Sequence, residues 1–123
     1  MLRIEIPMLP PIALSPNARP HWAQKHRATQ SLRTVAWACA YSVARDRIEK
    51  ATIQPIFVVA SKRRRDPDNW LAMLKPAIDG LVDAGILIDD DSEHVKLLSP
   101  QFVVDRSKAP MTVLEVSDGL GLL

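Results

Sequence analysis

The sequence of 123 residues contains a single cysteine, Cys39. One cysteine excludes an internal disulfide bond and excludes a metal site built from several thiolates. Its neighbours in residues 36–40 are small and apolar, so we expect Cys39 to be a small residue of the core.

Long apolar runs are also absent. No stretch of about 18 apolar residues occurs, so the sequence predicts no membrane-spanning helix. Residues 1–16 lack the uninterrupted apolar core of a signal peptide, and we therefore expect the protein to stay in the cytoplasm of its host cell. The length fits one domain, which we place at residues 1–123.

Neither sign of charge is in large excess, because the formal net charge is only +2. Composition alone therefore does not indicate a nucleic-acid-binding protein. The distribution is more informative: cations gather in residues 19–33 and 62–65, whereas acids gather in residues 89–91. Such segregation gives strong local fields of both signs. The simpler interpretation of the basic run is a solvated surface.

The hydrophobic periodicity predicts four strands and two helices. The predicted strands are residues 2–7, 52–60, 95–104 and 111–117, and the predicted helices are residues 21–50 and 67–84. The order β-α-β-α-β-β indicates an α+β fold with a small mixed sheet and packed helices. Three prolines add detail: Pro55 predicts that the first part of its strand lies at an edge, Pro100 predicts an edge or a bulge, and Pro76 predicts a kink.

The second predicted helix begins with acids. Asp66 precedes Pro67, so we expect Asp66 to be the N-cap and Pro67 to be the first helical residue. Asp68 then lies in the first turn. At about 100° per residue, Asp68, Lys75 and Asp79 share one polar stripe beside the apolar face. Asp79 is expected either to orient Lys75 or to be a plain surface acid.

A second acidic segment follows this helix. The chain turns at Gly85, and residues 86–88 could carry it back past the start of the helix. The acids of residues 89–91 would then approach Asp66 and Asp68. Such a cluster repels itself unless a cation lies within it, and hard carboxylate oxygens suit Mg²⁺ or Mn²⁺.

This arrangement would support phosphodiester chemistry. A bound Mg²⁺ could activate water and polarise a phosphodiester, and Lys75 could stabilise the developing charge. The alternative is purely structural. Asp66 would be only a cap, Asp68 a favourable charge at the helix start, and residues 89–91 a turn.

The ordered motifs of this region resemble the RusA family of Holliday junction resolvases, which occurs in bacteria and their phages. The resemblance covers most of the chain and is carried by the proline-rich opening at 10–22, RRRDPDN at 63–69, Lys75, DGLVDAG at 79–85 and DDDS at 89–92.

The resemblance implies a RusA-like fold and a homodimer that cleaves four-way DNA junctions with Mg²⁺, in recombination and repair. The residues that match the family's catalytic set are Asp66, Asp68, Asp90 and Lys75. The third acid stays open, because counting from Gly85 favours Asp90 whereas counting back from Ser92 favours Asp91. The gene could belong to a bacterial cell or to a phage.

Basic and polar residues near these motifs are the expected DNA contacts. We expect the basic run to contact phosphates. We expect the proline-rich loop and the following helix to bind an unpaired strand of the junction. The candidates are Arg63, Arg64, Arg65, Asn17, Arg19, Lys25 and Arg27. His21 and Trp22 could stack on a strand; alternatively, Trp22 packs as a staple at the helix start.

Two other functions remain open from the sequence. The chain could be a non-catalytic protein that binds branched DNA, with structural acids. It could also be a metal-dependent nuclease for flaps or other branched substrates.

Overall fold

The computed structural model describes residues 1–43 and 46–120. Within them lie five strands: β1 (Leu2–Ile6), β2 (Ala51–Val59), β3 (Val95–Leu97), β4 (Gln101–Val104) and β5 (Met111–Asp118). The helices are a 3₁₀ turn (Ile12–Leu14), α1 (Trp22–Val43), α2 (Pro67–Ala72) and α3 (Lys75–Asp83). No helix of the described residues is long and apolar enough to cross a membrane.

The five strands form one mixed sheet. β5 lies between β1 and β2 and runs antiparallel to both. β3 and β4 both pair with the other edge of β2 and run parallel to it. The predicted α+β class with a small mixed sheet is therefore confirmed.

One face of the sheet packs against the helices. The fully buried side chains come from every layer of the fold: Ile4, Ile6, Leu32, Ile53, Phe57, Leu74, Leu81 and Leu114. On α1 the buried positions Leu32, Ala36 and Ala40 are spaced by four residues, so they form one stripe. This stripe is what fixes α1 to the core.

Gly80 permits the close contact between α1 and α3. A Cβ atom at this position would lie 2.6 Å from the Arg33 carbonyl oxygen, 2.9 Å from the Ala36 Cβ and 2.9 Å from the Trp37 nitrogen. Because two of these atoms are backbone, no side-chain rotation could make room. The absence of a side chain at Gly80 therefore sets the separation of the two helices.

The first predicted helix ends earlier than expected. We predicted residues 21–50, but α1 ends at Val43 and residues 44–45 lie outside the described part. Ile48, which fitted the helical spacing, instead forms a parallel bridge with Leu87 and donates its backbone N–H to Ile86 at 2.7 Å. Its backbone thus holds the segment after α3.

The second predicted helix is divided into α2 and α3, and the division lies next to Pro76. Pro76 has no N–H to donate to Ala72, so the regular helical bond is missing there. Leu74 donates to Leu71 at 3.1 Å, which is the tighter 3₁₀ spacing. The backbone of Met73 and Leu74 stays in the α region.

The strand predicted at residues 95–104 is likewise divided, into β3 and β4. Pro100 lies between them, on the edge of the sheet that it predicted. The observed order is therefore β-α-β-α-α-β-β-β rather than β-α-β-α-β-β.

Pro55 lies in β2, which has neighbours on both sides, so the prediction of an edge at Pro55 is wrong. The Ile53 carbonyl accepts a bond from the chain that follows β3, and position 55 faces the same side because strand residues alternate. Opposite Pro55 lies the gap at residues 98–100, where no ladder bond is needed. Gln54 Nε2 fills the gap by donating to the carbonyls of Pro55 at 2.9 Å and Ser99 at 2.8 Å.

Candidate functional site

Lys75 forms ion pairs with two carboxylates. Its ammonium donates to Asp79 Oδ1 at 2.8 Å and also to Asp90 Oδ2. Lys75 and Asp79 are one helical turn apart on α3, whereas Asp90 arrives from the following turn. The predicted polar stripe is therefore present at these positions, and Asp79 contacts Lys75 directly.

The turn that delivers Asp90 has a clear local cause. Gly85 adopts φ +82°, a left-handed conformation that ends α3 and that residues with a Cβ rarely adopt. Its N–H donates to Val82 and that of Ile86 donates to Leu81, which closes the helix end. Ile86 and Leu87 are buried, so their burial pulls the chain back under α3 before residue 90 emerges.

The ion pairs shift the pKa values of Lys75 and Asp90 in opposite directions. The hydrogen bond to Asp79, followed by the one to Asp90, raises the pKa of Lys75. The hydrogen bond from Lys75 lowers the pKa of Asp90, and partial burial of the carboxyl opposes this effect. Both groups are consequently charged at neutral pH.

Asp66 and Asp68 lie at the start of α2, the helix that precedes Lys75 and α3. Asp66 is the N-cap of α2, with Oδ1 accepting the Asp68 N–H at 3.0 Å, and Pro67 is the first helical residue. This prediction is confirmed. Both aspartates are exposed to solvent, so neither is buried in the core.

The acids come from two stretches of the chain. Asp66 and Asp68 lie at the start of α2, whereas Asp90 follows α3 and is held at Lys75. Within residues 1–43 and 46–120, no group of three or more His, Cys, Asp or Glu side chains is arranged to hold a metal ion. The carboxylate oxygens suit Mg²⁺ chemically, and the convergence of Asp66, Asp68 and Asp90 on one ion stays a prediction.

The neighbouring acids have separate local partners. Asp89 Oδ1 accepts the Asp90 N–H at 2.7 Å. Asp91 Oδ1 accepts the backbone N–H of His94 at 3.1 Å and lies 2.6 Å from His94 Nδ1, and the hydrogen bond from this ring lowers the pKa of Asp91. Of the two candidates for the third acid, Asp90 is thus the one that lies at Lys75, whereas Asp91 starts the turn into β3.

The basic run lies immediately before the Asp66 cap. Arg63 and Arg64 are exposed and form no ion pair within the described residues. The Arg65 guanidinium is different, because it lies 5.9 Å from the Trp70 ring centre and 5.8 Å from that of Phe102. Burial, helped by the charge of Arg63, lowers the pKa of Arg65. The rings fix this one cation while its neighbours stay free.

A surface cavity of about 330 Å³ opens beside the basic run. Its lining combines the three arginines with the proline-rich loop and α2: Ile12, Ser15, Arg63, Arg64, Arg65, Asp66, Asn69, Trp70 and Met73. The proline-rich loop and the basic run therefore meet in space, although about 50 residues separate them in the chain.

The predicted contacts of the proline-rich loop are on the surface. Asn17, Arg19, Lys25 and Arg27 are all exposed, and the three cations form no ion pair in the described residues. Trp22 is 75% exposed, with its ring centre 5.6 Å from that of His21. It does not pack as a staple in the core.

Two features were missed by sequence reasoning. Asp83 forms a two-pronged ion pair with Arg33 at 2.6 and 2.9 Å. The pair joins α3 to α1 across 50 positions, so no local pattern could reveal it. The second is the stacking of Arg65 on Phe102, for which only the aromatic character of position 102 gave a signal.

No protein-family model matches the chain, and no curated protein matches it significantly. The likeness to the RusA family therefore rests on the ordered motifs alone.

Proposed function

We propose that this chain is a Mg²⁺-dependent endonuclease that cuts branched DNA, with the four-way Holliday junction as its substrate. The observation that carries the proposal is the contact of Asp90 with Lys75. It joins the acidic turn of residues 89–91 to the helical segment that begins at Asp66 and Asp68. This is the association that the motif order requires.

Each acid has a defined part in the proposal. Asp66, Asp68 and Asp90 would hold the ion, with Asp91 as the alternative third ligand, and all their donor atoms are the hard oxygens that Mg²⁺ or Mn²⁺ prefers. An ion held there would supply a water of lowered pKa and would polarise the scissile phosphodiester.

Lys75 has two roles in this proposal. In the free protein its ammonium keeps Asp90 ionised and holds it against α3. With DNA bound, the same positive charge stabilises the negative charge that develops on the phosphate or on the leaving oxygen. Asp79 holds the ammonium in place at 2.8 Å while Asp90 exchanges partners.

The cations supply binding rather than chemistry. Arg63, Arg64 and Arg65 directly precede Asp66, so phosphates held by the arginines lie next to the acids. Asn17, Arg19, Lys25 and Arg27 extend the cationic surface along the loop and α1. A two-fold homodimer would match the two related strands of a junction with two such sites. The setting would be recombination and repair in the cytoplasm of a bacterial cell, from a host or phage gene.

The test is a cleavage assay on a fixed synthetic four-way junction, with and without Mg²⁺, in which both cut positions are mapped. We expect paired nicks that need Mg²⁺ and that Asp68→Asn reduces at least about a hundredfold. Asp46→Asn, the same change at an exposed acid outside the site, should cut as the wild type does. Undiminished cutting by Asp68→Asn would refute the assignment.

A non-catalytic branched-DNA-binding protein is the second candidate. One observation in its favour is that the described residues contain no group of three or more His, Cys, Asp or Glu side chains arranged to hold a metal ion. The other is the arginines that line the cavity. The same assay decides, because this candidate binds junctions without nicking them in Mg²⁺. Flapped and forked DNA in the substrate panel would separate a nuclease for other branches from a junction resolvase.

A further inference from the structure

The cavity beside the basic run has a lining of three chemical kinds. Arg63 and Arg64 contribute guanidinium groups, Asn69 contributes an amide, and Ile12 and Met73 contribute apolar surface. An inorganic anion would need only the first kind. The apolar and amide surfaces provide the contacts that a flat heterocycle uses, so the mixture fits a ligand that carries both a phosphate and a base.

Arg65 makes this lining rigid. Its guanidinium lies over the Trp70 and Phe102 rings, and its Nη1 donates to the Arg63 carbonyl at 3.3 Å. Trp70 is held in turn by Phe57, a fully buried residue of β2, with ring centres 4.8 Å apart. The wall of the cavity is therefore anchored to the core, and Arg63 and Arg64 are presented from a fixed backbone.

The polar groups of the cavity remain available. Within the described residues, Arg63 and Arg64 form no ion pair, and the Asn69 side chain forms no hydrogen bond. Arg65 Nε is buried without a partner in the same part of the chain. Asp66 lies on the rim, so a ligand in the cavity is next to the first acid of the proposed catalytic site.

We propose that this cavity binds one unstacked nucleotide of a DNA strand, with its phosphate against Arg63 and Arg64 and its base between Asn69 and the Ile12–Met73 surface. The inference rests on the proposed function for the path of the strand. The cavity holds the nucleotide that flanks the cleaved phosphodiester, and Asn69 reads the edge of its base. Asn69 thereby determines a sequence preference at that position.

The test measures binding in EDTA, so a protein without nuclease activity can still pass it. Fluorescence anisotropy compares an oligothymidylate of about nine nucleotides with a strand of equal length in which every nucleotide is abasic. The two strands carry the same charge, so any difference comes from the bases. We expect the wild type to bind the intact strand at least about fivefold more tightly, the low end for one stacked base.

Ser15→Phe fills the cavity, whereas Ser15→Ala leaves it open as the matched control. We expect Ser15→Phe to reduce the difference between the strands to less than about twofold and Ser15→Ala to retain it. Arg64→Ala should weaken both strands, and Arg47→Ala, which removes an exposed cation elsewhere, should weaken them less. Circular dichroism of Ser15→Phe verifies that this variant folds. Asn69→Ala gives a second measure that does not depend on Ser15→Phe, because it should reduce the differences in affinity among the four homopolymers.

Four results would overturn the inference. Equal binding of intact and abasic strands by the wild type would leave a phosphate-binding surface only, as would full competition by inorganic phosphate. Equal discrimination in Ser15→Phe and Ser15→Ala would place the base contacts elsewhere. Tighter binding of the matching RNA strand would exclude DNA as the ligand. A protein that passes this test but cuts no junction in Mg²⁺ would retain the cavity and lose only the proposed activity.

Discussion

The side chains of Lys75 and Asp90 form an ion pair although 15 positions separate them in the chain. Lys75 begins α3, and Asp90 follows the turn at Gly85 that ends it. The pair therefore fixes the acidic turn against the middle of the helical segment 67–83, at the same ammonium that Asp79 holds from α3. Any ion shared by Asp68 and Asp90 must compete with this ammonium for Asp90.

The first prediction concerns the titration of Asp90. Lys75 lowers the pKa of Asp90, so Lys75→Met should move that pKa upward toward the ordinary aspartate range. The measurement is an NMR titration of the side-chain carboxyl carbons. Lys96→Met, which removes an exposed cation from β3, should leave the Asp90 titration unchanged. An identical Asp90 curve in Lys75→Met would show that the pair does not form in solution.

The same pair predicts a pH dependence of stability. A carboxyl whose folded pKa is lowered adds stability that is present above its unfolded pKa and lost as pH falls through the folded value. The raised pKa of Lys75 adds stability that is lost as pH rises through it. Lys75 is 63% exposed, so the whole effect is about 1 kcal/mol or less. Urea unfolding of wild type and Lys75→Met should differ near neutral pH and agree at strongly acidic pH.

The second prediction separates two roles of Asp66. Asp66→Ala removes the cap on the Asp68 N–H and should cost about 0.5–2 kcal/mol of unfolding free energy. Asp66→Asn keeps an oxygen that can accept this bond, so it should cost much less. If Asp66 also holds Mg²⁺, both variants should lose junction cleavage equally. Retention of cleavage by Asp66→Asn would leave Asp66 as a cap alone.

The local features of this site were predictable because short-range chemistry determines them. Asp66 caps α2 and Gly85 ends α3 because an oxygen acceptor and a left-handed residue are needed at those two positions, whatever the rest of the fold. The stripe shared by Lys75 and Asp79 follows from helical spacing. Each of these inferences uses residues at most a few positions apart.

The predictions that were wrong concern residues whose partners lie far away in the chain. Pro55 looked like an edge residue because the sequence does not reveal that its neighbour strand is interrupted at residues 98–100. Ile48 fitted a helix because it is apolar, but it packs against the core from a segment whose backbone pairs with Leu87. The convergence of Asp68 with Asp90 on one ion stays a prediction. It depends on how the chain returns after Gly85, which brings Asp90 to the ammonium of Lys75.

The third prediction concerns the contact of α1 with α3. Gly80→Ala places a Cβ 2.6 Å from the Arg33 carbonyl oxygen, so the helices must separate, at about 1–3 kcal/mol. Gly85→Ala is the contrasting change, because its Cβ meets nothing within 4 Å and only the backbone at φ +82° is strained. Asn at position 85 should recover part of that loss, since Asn tolerates this conformation. Urea denaturation measures all three, and full stability of Gly80→Ala would contradict the close approach.

The last prediction tests whether Arg65 is held by its stacking rather than by its charge. Arg65→Lys keeps the charge but replaces the flat guanidinium over Trp70 and Phe102, so we expect a loss of about 0.5–1 kcal/mol of unfolding free energy. The matched control is Arg64→Lys in the same basic run, which is exposed and should change nothing measurable.

A double-mutant cycle completes this test. In a Phe102→Leu background one of the two rings is gone, so Arg65→Lys should cost less there than in the wild type. Equal costs in both backgrounds would show that the ring of Phe102 does not hold the guanidinium. Because Arg65 Nη1 also bonds the Arg63 carbonyl, loosening the stack should disorder the basic run as well. Arg65→Lys should therefore weaken binding of single-stranded DNA more than Arg64→Lys does, although neither variant changes the charge of the protein.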